Sequence, residues 1–260
     1  MRSWVGQKFS IFYASLVYLY LYLPIAILIL YSFNKSKLNA VWTGFTVDWY
    51  FQLFQNRDVL EAMQTSLIVA AASTIASTMI GTLAAVGLYR YHFRGKTALD
   101  AMLYLPIVIP EIVMGISLLA LFSMLKLPLG YFSLIAAHIT FSVPFVIVVV
   151  RARLAGFDRS IEEAAMDLGA TPWQTFVKVT IPVIAPGILA SALLAFTLSI
   201  DDVIISFFVA GPASTTLPLK IFSMVKFGVT PEINALSTLM LVVTLFIVVM
   251  AERIRMRKSE

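Results

Sequence analysis

The chain has 260 residues, of which 60% are hydrophobic and 13% charged, with a mean hydropathy of +0.91 and a formal net charge of +5. Soluble domains carry about 25% charged residues, so this composition excludes an ordinary water-soluble protein and points to a membrane chain. With no Cys and only two His, His92 and His138, it also excludes disulfide scaffolds, cysteine zinc sites, iron-sulfur clusters and thiol catalysis.

A bilayer-spanning helix needs about 20 largely apolar residues. Six runs meet that length, at 11–33, 66–89, 101–125, 127–150, 183–210 and 233–251. The first is longer than the 7–15 residues typical of a signal-peptide core and is followed by no small-residue cleavage site, so it is expected to stay in the mature chain. Trp42, Phe45, Trp49, Tyr50, Phe51, Leu53 and Phe54 follow it, and the pairs 49/53 and 50/54 predict a short helix lying in the membrane interface. The second run carries Ser73, Ser77, Gly81 and Ala85 at four-residue spacing, a small-residue ridge that lets two helix backbones approach closely. The third contains one charge, Glu111, behind Pro106 and Pro110, which predict a kinked or opened helix. His138 in the fourth reads as a neutral imidazole bonded to a neighbouring helix in preference to a proton relay.

Between the fourth and fifth runs lies a polar loop, 151–182, with two successive helix-start signals. Ser160 and Glu163 fit a capping box, and Ile161, Ala164, Ala165 and Leu168 then recur at helical spacing. Gly169 stands where a left-handed cap is wanted; Thr171, Pro172 and Gln174 start a second helix, which Pro182 is expected to end. Such short helices either dock on an external surface or pack as a connector against their own bundle, and composition does not choose. The fifth run contains Asp201 and Asp202, so three acids lie at membrane depth, where charge is costly and marks a path for ions or polar solutes.

Thirteen basic residues fall on the side that holds both termini, Lys96 and Arg153 among them, against six on the other, which include Lys37, Lys126 and Lys220. The positive-inside rule therefore places both termini in the cytoplasm, with the chain embedded in lipid as one domain. Gly95-Lys96-Thr97 imitates the end of a phosphate-binding loop, but Arg90 stands where its first Gly is required. Nucleotide binding and nucleic-acid binding are both disfavoured, and no metal-ligand or catalytic constellation is present. Adjacent Asp201 and Asp202 project about 100° apart on one helix, unlike the paired acids of an intramembrane aspartyl protease. A secondary transporter using these acids is the competing reading, although such carriers usually show an internal repeat that this chain lacks.

Glu163-Ala164-Ala165, three residues, Gly169, nine residues and Val179-Thr180-Ile181-Pro182 resemble the signature loop of binding-protein-dependent ABC importer permeases, with Val179 and Ile181 as conservative departures. Further stretches, 89–96, 198–202, 217–226 and 231–236, are similar to the spermidine/putrescine permeases of the C type. The resemblance implies an all-α, type I importer permease in a bacterial inner membrane, not itself an enzyme, that forms half of a heterodimeric polyamine pathway. It implies two separate ATP-binding subunits that hold ATP and Mg, with no cofactor in this chain, and a periplasmic polyamine-binding protein. It assigns ATPase coupling to Glu163, Ala164, Ala165, Leu168 and Gly169. The substrate path is expected to use Glu111, Asp201 and Asp202 together with Ser199 and Trp49, whose aromatic face suits an ammonium group.

Overall fold

The computed structural model describes residues 4–36, 41–226 and 228–257. Lys37, one of the residues expected to face outward, lies outside them, as do Arg2 and Lys258 of the charge count. The described residues are almost wholly helical; their one β-bridge joins Asn34 to Phe45. Five helices are long and apolar enough to span a membrane, and a sixth span results if one bent pair is counted as a single crossing. Two compact units group the chain, Met1–Leu60 with Ile221–Leu245, and Glu61–Lys220 with Phe246–Glu260.

The first unit holds α1 (Trp4–Tyr31), α2 (Asp48–Gln55) and the opening turn of α3 (Arg57–Arg90). The short helix expected from the 49/53 pairing is α2, which buries Trp49 and Leu53 and leaves Phe51 and Phe54 exposed. Its segment is organised by buried Asn34, whose amide donates to Val41 O at 2.9 Å and whose carbonyl side chain accepts from Thr43 N at 3.1 Å.

The second unit is built on α3, α4 (Lys96–Val108), α5 (Glu111–Met124), α6 (Tyr131–Leu154), α7 (Ser160–Asp167), α8 (Pro172–Thr175), α9 (Ile181–Ile200) and α10 (Ile204–Val209). One core packs Val69, Phe122, Leu134, Phe141, Ile205 and Val209 where α3, α5, α6 and α10 meet. A second packs Ala85, Val86, Ile147, Val150, Leu154 and Ile184 between α3, α6 and α9. The small-residue ridge is buried at all four positions, and its partner is in this chain: a Cβ on Gly81 would lie 2.5 Å from Val146 Cγ1 on α6. The chain continues through α11 (Leu217–Val225) to α12 (Pro231–Arg257).

The opening expected of the third run is present: α4 and α5 are bent by 109° at the break between Val108 and Glu111, because Pro110 cannot supply an N–H to continue the ladder. Two other sequence expectations need correction. The fifth run is likewise interrupted at 201–203, between α9 and α10. Conversely, Pro182 does not end the second loop helix. A π-turn at Phe176–Thr180 joins α8 to α9, and Pro182 falls in the first turn beyond it, where its missing N–H is tolerated, so Pro172–Ile200 runs as one rod. Helix ends also reach past the apolar runs, as at Arg57, because polar turns outside the lipid are helical too.

Candidate functional site

The loop helix α7 begins differently from the sequence pattern. Its first amide, Ser160 N, donates to Asp158 Oδ1 at 2.9 Å, so the short Asp158 side chain caps the helix as an Asx turn and the Ser160–Glu163 box is not formed. The Ser160 backbone N–H, and then its hydroxyl, hold the Asp158 carboxyl below the ordinary carboxylate value. At the other end, Gly169 takes φ +90°, with Gly169 N bonded to Met166 O and Ala170 N to Ala165 O, the two bonds of a Schellman cap. Thr171 and Gln174 then form the reciprocal capping box expected of them, at 2.9 and 3.3 Å.

The inward face of α7 is polar. Glu162, only 9% exposed, accepts from Arg90 Nη2 at the end of α3 and from Thr180 Oγ1 in the π-turn, and Arg90 Nη2 also bonds Thr180 Oγ1 at 2.8 Å. A buried carboxylate is tolerable only when paired and hydrogen-bonded in this way. The Arg90 guanidinium lies 5.7 Å from the Phe176 ring centre. Just ahead of α7, Arg159 Nη2 donates to Tyr89 O at 3.0 Å, with its guanidinium 4.9 Å from the Tyr89 ring centre. Glu163, Ala164 and Gly169 are exposed, Ala165 is half-buried, and Leu168 is 90% exposed. Ile161, Ala164 and Leu168 therefore form an outward apolar strip, while the residues that tie α7 to its own unit are charged. Sequence reasoning missed Glu162 and Thr180. Two adjacent glutamates in one turn gave no signal of which one faces inward.

A second polar cluster lies at membrane depth. His138 on α6, 2% exposed, bonds Ser199 Oγ through Nδ1 at 2.6 Å and Ser206 Oγ through Nε2 at 3.2 Å, and its Nε2 is 3.5 Å from Asp202 Oδ2. Ser199 also pairs with Ser73 of α3 at 3.1 Å. Asp202 accepts from Ile205 N and Ser206 N at 3.1 and 2.7 Å, capping α10. The helix-bridging reading of His138 thus matches its surroundings, since its ring joins α6 to Ser199 of α9 and Ser206 of α10.

Of the expected path residues, Ser199 and Asp202 meet around His138. Asp201 is exposed at the C-terminal end of α9, and Glu111 is exposed in the first turn of α5. No hydrogen bond or ion pair joins either side chain to a partner among the described residues. All three acids sit at helix breaks, where freed backbone groups and half-helix ends also present partial charges, an arrangement used by transporters at ion and substrate sites. Trp49 belongs to the other unit, where its indole N–H donates to Asn34 O at 2.8 Å. No group of three or more potential metal ligands occurs among the described residues.

Broken apolar helices carrying acids and a capped amphipathic helix that turns its apolar strip outward define a membrane transport subunit. Residues 77–255 match the binding-protein-dependent transport system inner membrane component family, and the chain belongs to that family. It is an inner-membrane transport permease rather than an enzyme. It is 48% identical over 229 residues to the spermidine/putrescine transport system permease protein PotC of Escherichia coli K12, covering 88% of this chain and 87% of the relative. It is 47% identical over 219 residues to the putrescine transport system permease protein PotI of the same organism, covering 82% and 78%. The sulfate transport system permease protein CysT is 31% identical over 213 residues, with coverage of 76% and 77%. The fold is shared with a bacterial ABC transporter involved in alginate import, at a TM-score of 0.76 and 19% identity over 98% of this chain and 96% of that one.

Proposed function

We propose that this chain is the polyamine-selective half of an ATP-driven importer, paired with a second permease subunit. Two ATPase subunits that bind ATP and Mg dock on its loop, and a periplasmic polyamine-binding protein delivers spermidine or putrescine. On this reading residues 1–260 work as one permease domain with both termini in the cytoplasm, and the chain holds no cofactor of its own. Relatives support the partner set: one solved alginate ABC transporter is in complex with a substrate-bound periplasmic protein. The substrate class is supported by the gap between 47–48% identity to two polyamine permeases and 31% to a sulfate permease.

The observation that carries the reading is the outward apolar strip of α7. A connector that merely packed on its own bundle would turn Ile161 and Leu168 inward and leave its glutamates in water; here Glu162 is inside and Leu168 outside. Glu163, Ala164, Ala165, Leu168 and Gly169 accordingly make the ATPase-docking surface, the Gly169 cap fixing how the chain leaves it. In the membrane, Glu111 and Asp201 receive successive ammonium groups of the amine, while Asp202 and Ser199 shape the second helix break and Trp49 shapes the outer segment.

Leu168→Asp in the complete transporter tests the surface. Because Leu168 touches little of its own chain, the variant should fold and insert normally yet lose ATPase retention in detergent and amine uptake in proteoliposomes. Full ATPase retention would overturn the docking role. Uptake of labelled putrescine competed by sulfate but not by spermidine would overturn the substrate class.

A further inference from the structure

An eight-residue helix such as α7 is too short to hold its own orientation in water, and its apolar strip faces away from its unit. What orients it is a set of polar contacts to two long helices at once. Arg159 reaches back to the carbonyl of Tyr89, one of the unsatisfied acceptors at the C-terminal end of α3, and Arg90 reaches forward to Glu162. Thr180, 1% exposed, closes the triangle by contacting both Arg90 and Glu162. The π-turn places one extra residue in the rod at this point, a deviation that recurs at functional positions in helices.

The same two helices are tied again far from the loop. Seventeen residues before Arg90, Ser73 of α3 bonds Ser199, nineteen residues beyond Thr180 on α9. At 1.5 Å per residue these ties stand roughly 25–29 Å apart on each helix. Between them α3 and α9 both pack into one core with α6, formed by Ala85, Val86, Val146, Ile147, Ile184 and Ala195. The two helices are thus tied at both ends of a packed core. Of the two, α9 ends at Asp201 and Asp202, the break in the fifth span.

We infer that Arg90, Glu162 and Thr180 are positioning residues that lock α7 to the paired helices α3 and α9, so that a displacement of the docked loop helix is delivered as rigid-body motion to the helix break at Asp201 and Asp202. This rests on the docking reading given above but assigns a role to three residues outside the docking strip. A charged clasp suits such a joint. It holds direction through paired charge and hydrogen bonds, whereas an apolar contact of the same size would let the helix slide or roll.

The test uses the full transporter in proteoliposomes, with spermidine-loaded binding protein and ATP. Glu162→Gln and Thr180→Val keep side-chain volume and leave the docking strip untouched. Each should retain the ATPase subunits in detergent, while the amine imported per ATP hydrolysed falls at least fivefold. Arg90→Glu and Glu162→Arg should each fall further, and the double exchange Arg90→Glu/Glu162→Arg should recover at least half of the loss. Amide exchange in the intact complex should quicken about tenfold at 161–168 in Glu162→Gln and stay unchanged within 135–150. Wild-type import per ATP in both Glu162→Gln and Thr180→Val would overturn the inference, as would a double exchange no better than either single one. A wild-type preparation that carries no ATPase subunit would instead defeat the docking reading, and the inference with it.

Discussion

Replacing Gly81 with alanine adds a single methyl group where α3 crosses α6, and the structure sets what that group meets. Its carbon would lie 2.5 Å from Val146 Cγ1, 2.7 Å from Val146 Cβ and 3.3 Å from Val143 O. Carbon atoms in good contact sit about 3.5–4.0 Å apart, so the two helices must separate by roughly an ångström or Val146 must move. Val146 is fully buried and β-branched, with few rotamers to move into. Overpacking of this kind costs about 1–3 kcal/mol, partly offset by the ~1 kcal/mol that alanine gains over glycine in a helix. A net loss of up to about 2 kcal/mol is expected, and the coupling between the two positions is the sharper measure. Reversible unfolding of the purified subunit by SDS titration, followed by helical circular dichroism, measures it. The companion variants Val146→Ala and Gly81→Ala/Val146→Ala complete a double-mutant cycle, in which the new methyl fills the space left by valine. A favourable coupling of about 1 kcal/mol or more is expected. A cycle with no coupling between the two positions would refute the close-contact argument.

Three further outcomes follow from the same structure. Glu111→Gln with Asp201→Asn should lower polyamine uptake at least tenfold in proteoliposomes with the subunits still assembled; near-normal uptake would remove these acids from the path. Asp158→Ala should speed amide exchange at Ser160 at neutral pH. Because the folded carboxyl titrates below its ordinary value, the contribution of this cap is fully present above that ordinary value and is lost as the pH falls through the lowered one; no difference between parent and variant at neutral pH would contradict the cap. In this cysteine-free chain, Lys96→Cys should label from the cytoplasmic side and Lys220→Cys from the opposite side. Labelling of both from one side would overturn the charge-based topology.

Much of this architecture was legible in the sequence because membrane insertion leaves a strong compositional trace. Spans, the ridge at Ser73, Ser77, Gly81 and Ala85, the left-handed Gly169 and the Thr171–Gln174 box each follow from a local rule that the lipid or the backbone enforces. Prolines announced the break before Glu111. The break at Asp201 carried no such announcement, since its cause is tertiary: Asp202 caps α10 and is held beside His138 and Ser206. Glu162 escaped for a related reason. Which of two neighbouring glutamates turns inward depends on Arg90 and Thr180, residues 72 and 18 positions away in the chain. The continuity of α8 with α9 was hidden because a π-turn absorbs a proline that would otherwise read as a stop.

The inside-out polarity of α7 also bears on supply. A helix that hides its glutamate and displays Leu168 and Ile161 is complete as a fold yet unfinished as a surface, because its apolar strip has no cover within the unit that anchors it. If the docking proposed above holds, a copy without its partner would leave that strip open to water, where it invites self-association. On that proposal the exposed strip would mark a copy that has not yet been assembled, and the useful number of permeases would follow the number of docking partners made alongside them.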